Sequence, residues 1–249
     1  MQNLLALTTR EVKAFWYSPM AYAVGALFLF MQGGVFTLLI TVLNDPRIDP
    51  TWAKISQLFF GGTFFFWFSI LIIPPLLTMR TFSEEKRTGT IETLLTAPVS
   101  DAQVVLAKFL GAWLAYLLLW VCTVVLFLIL STHTRFDWGP IITGYAGTGL
   151  LGSVLISFGI LASSLTRNQV IAALLSFVAI LLLFSLGLLD AFIHNPQATS
   201  LIRYLSLIEH TRDFSRGILD TRPLVFYVSL SAVCLFLTGR VIASPRWRS

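Results

Sequence analysis

The stretch Val104-Val-Leu-Ala-Lys108-Phe-Leu-Gly-Ala-Trp-Leu-Ala-Tyr-Leu-Leu-Leu-Trp120-Val-Cys-Thr-Val-Val-Leu-Phe-Leu-Ile-Leu130 decides the fold class. Its one charge, Lys108, lies near its start. Crossing roughly 30 Å of hydrocarbon as a helix takes about 20 apolar residues, so this run is long enough to span a membrane. Five others qualify on the same ground: Met20–Leu43, Leu58–Met79, Ile141–Leu165, Val170–Leu189 and Leu224–Val241. All are too long for soluble strands, and none alternates as a barrel strand does. The expectation is an all-α integral membrane protein with six transmembrane helices.

Composition agrees. Of 249 residues, 56% are hydrophobic and 12% charged, which leaves too little polar surface for a soluble globule. Disorder, collagen and a disulfide-stapled module are excluded by the same arithmetic. Cys122 and Cys234 lie inside apolar runs and read as packing residues. The net charge of +5 comes with no basic stripe of interleaved aromatics, so no nucleic-acid partner is expected. A cleaved signal peptide is not expected either, because Arg10, Glu11 and Lys13 stand well ahead of a run too long for a signal core.

The distribution of Lys and Arg sets the expected orientation. With both termini inside, one face holds Arg10, Lys13, Arg80, Lys86, Arg87, Lys108, Arg167, Arg240, Arg246 and Arg248. The other holds Arg47, Lys54 and Arg135, together with Arg203, Arg212, Arg216 and Arg222 in a long segment that counts less in the rule. Both termini are therefore expected in the cytoplasm. The chain reads as one membrane-embedded unit over 1–249: an interfacial helix (1–19), two spans (20–79), a charged cytoplasmic loop (80–103), three spans (104–189), an external segment (190–223), then the last span and tail (224–249). Only Thr166–Gln169 separates the fourth and fifth spans, a tight hairpin.

Three segments lie outside the spans. Asn3–Tyr17 winds as an amphipathic helix, with Leu4, Leu5, Thr8, Val12, Phe15 and Trp16 on one face and Arg10, Lys13 and Tyr17 opposite. It would lie in the headgroup layer and end at Ser18-Pro19; Arg10, Lys13 and Trp16 are its candidate interfacial residues. The loop Arg80–Gln103 is the most charged part of the chain. Thr81 with Glu84, and Ser100 with Gln103, have capping-box spacing. Gly89 should break the first helix and Pro98 end the next, whose Ile91, Leu94 and Leu95 make an apolar stripe beside Glu92. So short a helix is marginal alone and needs something to dock on. The third segment, Asp190–Arg222, carries Leu201, Leu205 and Ile208 at helical spacing, with Gly217 and Pro223 as breakers. It reads as one or two short external helices, or equally as a lid holding neighbouring spans together.

Several chemistries find no motif. No G-x-x-x-x-G-K-S/T stretch exists, so the chain lacks the P-loop cradle for ATP phosphates. His133, His194 and His210 have no metal-type spacing, so no metal site is expected. Glu84-Glu85 resembles the paired glutamates of intramembrane proteases, but no histidine lies within a span. The spans hold almost no charge beyond Lys108, which argues against an ion-coupled carrier. Gly144, Thr148 and Gly152 form a small-residue stripe for close helix contact. Pro74-Pro75 frees backbone groups near the inner end of the second span. Phe59, Phe60, Phe64, Phe65, Phe66 and Phe68 fit lipid-facing packing as well as an amphiphile path.

An interfacial helix, six spans, and a loop reading E-E-K-R-T-G-T-I-E-T-L-L-T-A-P-V-S-D followed by Lys108 together resemble the permease subunit of type-two ABC exporters. The matching positions are Arg80, Glu84, Glu85, Gly89, Thr90, Glu92, Leu94, Leu95, Pro98 and Lys108. Phe15-Trp16-Tyr17-Ser18-Pro19 with Ala21-Tyr22, and His210, Phe214, Arg216-Gly217, Asp220, Arg222 and Tyr227, resemble the gliding-motility-type ABC permeases. The resemblance implies a half-transporter in the bacterial plasma membrane, paired as a homodimer or with a related permease. It implies no catalytic residues and no cofactor on this chain, with ATP and Mg held by separate ATPase subunits. Those would dock on Glu84, Glu85, Gly89, Thr90, Ile91, Glu92, Leu94, Leu95 and Pro98, the glutamates pairing with basic groups of the partner. The rival reading is a scaffold that transmits ATP-driven movement to an envelope protein without transport.

Overall fold

The computed structural model describes residues 2–44, 52–90, 100–133, 136–188 and 204–244. Among them are helices α1 (Gln2–Trp16), α2 (Pro19–Leu43), α3 (Trp52–Phe59), α4 (Phe64–Thr78), α5 (Ser83–Thr88), α6 (Asp101–His133), α7 (Gly139–Leu165), α8 (Gln169–Leu188), α9 (Leu207–Ser215) and α10 (Thr221–Ala243), and no strand. Six helical stretches are long and apolar enough to cross a membrane: α2, α4 continued through α5, α6, α7, α8 and α10. The chain is an all-α, multi-pass integral membrane protein.

Five spans fall within a few residues of their expected limits. The second does not. It was expected over Leu58–Met79, but the apolar run is cut at Gly61, whose φ of 107° is left-handed, and helix resumes only at Phe64. Thr63 caps the new helix, its hydroxyl accepting from the Phe66 N–H at 3.3 Å. Hydropathy misses this turn because phenylalanines flank it on both sides, Phe59-Phe60 before and Phe64-Phe65-Phe66 after. The break splits the phenylalanines by role. Phe59, Phe60 and Phe66 are buried in an aromatic cluster with Trp120, Phe127 and Tyr145, whereas Phe64, Phe65 and Phe68 are exposed on the outside of the bundle. At 1.5 Å per residue α4 alone reaches only about 22 Å, so the turn at 79–82 and α5 extend it beyond the proline pair.

The centre of the bundle is α7, 78% of whose most apolar stretch is buried, against 17% for α8. Its small residues explain why. A Cβ at Gly144 would stand 2.4 Å from the Phe60 ring, at Gly152 2.1 Å from the Tyr116 ring, and at Gly159 2.0 Å from the Thr78 hydroxyl. Thr148, in the same stripe, is buried and returns its hydroxyl to the Gly144 carbonyl at 2.8 Å. The Gly144–Thr148–Gly152 face thus does the close packing its spacing indicates, against α3 and α6 side chains.

At the end opposite α1, here called distal, α9 lies on the N-terminal end of α7. Ser206 caps it, and His210, Thr211, Phe214 and Ser215 are buried. The Thr143 hydroxyl donates to the Phe214 carbonyl at 2.8 Å, and the Ser56 hydroxyl of α3 to the Pro140 carbonyl at 2.8 Å. The described part of the 190–222 segment is a short helix that packs on α7, so it fits both readings, the short helix and the lid; Leu201 lies outside the described residues. Gly217 breaks the chain with a φ of 85°, but Pro223 does not. It sits in the first turn of α10, capped by Asp220, where a missing N–H removes no helical bond.

At the other, proximal end α1 packs along the start of α6. Thr8 is buried, and Leu4, Val12, Phe15 and Trp16 are half-buried, as expected. Leu5, at 66% exposed, does not join that face; Glu11 turns inward in its place. Arg10, Lys13 and Tyr17 are exposed.

Candidate coupling site

Lys108 sets the geometry of the proximal end. It is the one charge inside the α6 apolar run, and its side chain is only 3% exposed, so its ammonium needs counter-charge. Glu85 supplies it from α5, with Oε1 2.6 Å from Nζ. Glu11 supplies more from α1, both its oxygens at 3.4 Å. The Phe82 ring lies 5.2 Å below the ammonium, a cation–π contact in a partly dry site. Arg10 in turn holds Glu11 at 2.9 Å. The close approach of α1 that this needs is possible at Gly111, where a Cβ would come within 2.8 Å of the Glu11 Cβ. Three helices distant in sequence meet on one cation.

The start of the loop is held by α7 as well. The Phe82 and Ser83 N–H groups both donate to the Ser163 hydroxyl oxygen at 3.1 Å, and that hydroxyl donates to the Met79 carbonyl at 3.2 Å. The Lys86 ammonium donates to the Ser164 carbonyl. This corrects the first capping box. Thr81 lies ahead of the helix and bonds the Thr78 carbonyl at 2.7 Å, Phe82 takes the N-cap position without a side-chain cap, and a serine 80 residues away does the capping. The second box forms in full: the Ser100 N–H donates to Gln103 Oε1 at 3.1 Å, and the Gln103 N–H to Ser100 Oγ at 3.3 Å.

Glu84 faces outward and pairs with Arg87 along α5. Glu85 turns inward: Lys108 of the same chain occupies one of its oxygens, and the other, Oε2, is buried with no hydrogen-bond partner among the described residues. Arg80 bridges to Gln169 at 3.1 Å, tying the loop to α8, and reaches Ser18 at 3.5 Å. Gly89, with a φ of 75° and no described residue within 4 Å of an added Cβ, ends α5 as expected. Thr90 is exposed and hydroxyl-bonded to Thr88 at 3.0 Å. Ile91, Glu92, Leu94, Leu95 and Pro98 lie outside the described residues. A cleft of about 260 Å³ runs between α1, the end of α4 and α6, bordered by Glu11, Ser18, Arg80, Glu84, Glu85 and Lys108.

Of the residues singled out in the sequence, Arg80, Glu84, Glu85, Gly89 and Thr90 are brought to this end with Lys108. Glu11, Ser163, Ser164 and Gln169 were missed. Glu11 had a signal: a lone lysine in a span demands acids, and Glu11 is the acid nearest the spans in the N-terminal helix. The serines had none, since they read as ordinary small residues of a packing face.

The ABC-2 family transporter protein model matches residues 5–239, nearly the whole chain. The chain belongs to the ABC-2 transporter family. No curated protein matches it. An ABC-2 permease is the membrane component of its transporter and pairs with an ABC ATPase subunit, which agrees with a chain that has six apolar spans.

Proposed function

We propose that this ABC-2 protein is the permease subunit of an ATP-driven exporter in the bacterial plasma membrane, with both termini in the cytoplasm and close to the gliding-motility-type permeases. Two permeases, identical or related, pair in the membrane. Separate ATPase subunits, which carry the ATP and Mg, dock on the segment from Glu84 to Pro98. The observation that supports this is the anchoring of that segment. The turn that leads into it, from Arg80 to Lys86, is bonded to α6 through Lys108, to α7 through Ser163 and Ser164 and to α8 through Gln169, and reaches α1 through the Lys108 that Glu11 shares, while Gly89 and Thr90 are exposed where the chain leads into Ile91–Leu95. A push on the loop would therefore reach four helices at once.

The experiment is the double variant Leu94→Asp with Leu95→Asp, coexpressed with the cognate ATPase. Burying a leucine contributes about 1.5–3 kcal/mol, so losing two should weaken docking by about two orders of magnitude or more. The variant permease should insert and dimerise yet fail to retain the ATPase. Unchanged copurification with unchanged ATP turnover would sink the coupling role. Turnover without vesicle transport would assign the complex to mechanical work on an envelope partner instead.

A further inference from the structure

The distal end holds a second feature that coupling does not use. Because the chain breaks at Gly61-Gly62 instead of running straight into the second span, the end of α3, the start of α4 and the lid helix α9 enclose a cavity of about 380 Å³. That lies at the lower end of the range for small-ligand pockets, about 300–1,000 Å³. The turn itself requires glycine: a Cβ at Gly62 would stand 2.7 Å from the Gln57 carbonyl oxygen. The Trp67 indole is fixed there by donating to the Gly61 carbonyl at 2.8 Å.

The lining is amphipathic. Leu58, Phe60, Trp67 and Ile208 supply an apolar wall, and Arg212 and Arg216 supply the charge. Helix α9 and the residue that closes it carry two acids and two arginines, yet both arginines line the cavity while neither Glu209 nor Asp213 does. Arg216 makes no ion pair with any described residue. Arg212 meets Glu209 through a single nitrogen at 3.0 Å on an exposed surface, which is a weak attachment that leaves its other donors free. Two guanidinium groups over an apolar wall match an anionic oxygen cluster joined to a hydrocarbon body, since planar guanidinium forks bind phosphate oxygens two at a time.

We propose that this distal cavity is a binding site for a phosphate-bearing amphiphile, an anionic phospholipid of the membrane leaflet at that end, with its phosphate on Arg212 and Arg216 and its first methylenes on Leu58, Phe60, Trp67 and Ile208. The site is contained in one chain and needs no ATPase, so its failure would leave the exporter reading untouched.

The test is native mass spectrometry of the full-length protein in detergent, titrated with phosphatidylglycerol or phosphatidylcholine. The wild-type protein should bind phosphatidylglycerol about tenfold more tightly or better, because the choline cation faces the arginines. Arg212→Gln with Arg216→Gln should remove that preference, and Arg212→Lys with Arg216→Lys should keep most of it. Leu58→Trp, which fills the apolar part, should weaken binding while leaving both arginines in place. If the double glutamine variant does not fold, Arg216→Gln alone, at an exposed position, should still lower the preference severalfold. Equal binding of the two lipids by the wild type, or a preference that survives loss of both arginines, would overturn the proposal. Glycerol phosphate competing as well as the intact lipid would overturn it too, by assigning the site to a soluble phosphate.

Discussion

At the scale of single residues, the most consequential group is Lys108. A buried ammonium held by Glu85 at 2.6 Å and Glu11 at 3.4 Å depends on its partners, and taking one charge from such a cluster typically costs about 3–5 kcal/mol. Glu85→Ala should therefore lower the melting temperature of the purified protein more than Glu11→Ala does, since Glu85 makes the shorter contact. A double-mutant cycle should give a larger coupling to Lys108 for Glu85 than for Glu11. Equal and negligible losses for both would show the cluster to be ornamental. His210 makes a second case. Burial lowers its pKa, outweighing the Tyr204 carbonyl it bonds at 2.9 Å and the acids Asp213, Asp220 and Glu209, all of which raise it. The unfolded chain then binds more protons than the folded one just below about pH 6.5. Stability is complete above that pH and is lost as pH falls through the lowered folded value. Melting temperature should drop on acidification from about pH 7 to pH 5, and drop less in His210→Gln; parallel curves would refute the assignment.

At the scale of elements, α7 is held by what it lacks. The side chains of Phe60, Tyr116 and Thr78 occupy the space that Cβ atoms at Gly144, Gly152 and Gly159 would need. Gly152→Val would drive Tyr116 from its place, and overpacking of this kind costs about 1–3 kcal/mol or more. Gly239 in α10 has no described residue within 4 Å of an added Cβ, so Gly239→Ala should be neutral or stabilising by up to about 1 kcal/mol through helix propensity. Thermal unfolding of the two variants in the same detergent should move in opposite directions or differ by several degrees. Similar shifts would mean that the α6–α7 contact is looser than described. The capping of α5 by Ser163 shows the same dependence at a helix end: the cap came from a neighbouring helix, where no local pattern could reveal it.

At the scale of the whole molecule, the orientation proposed from the charge bias would put the proximal end in the cytoplasm and the distal cavity outside. Labelling with an impermeant thiol reagent tests this in a background lacking Cys122 and Cys234. Thr90→Cys and Leu219→Cys are suitable probes because both positions are exposed, whereas Ser83, the first residue of α5, is fully buried and would resist reagent from either side. Leu219→Cys should label in intact cells and Thr90→Cys only after lysis. The reverse pattern would invert the orientation.

The sequence alone determined the class of fold, the number of spans, the packing face of α7, the stop at Gly89 and the cap at Ser100, and its loop motif pointed to the ABC-2 family. Each of these depends on local composition or on spacing along one helix, which bulk hydrocarbon and helical geometry read directly. The break inside the second span was invisible because a turn built from Gly61, Gly62 and Thr63 hardly lowers the hydropathy around it. Tertiary structure alone decided the inward turn of Glu85, its meeting with Glu11 on Lys108, the remote cap from Ser163, and the distal cavity with its paired arginines. Those features join residues 97 positions apart at Lys108 and farther still around the distal cavity, and only packing can settle which buried charge finds which partner.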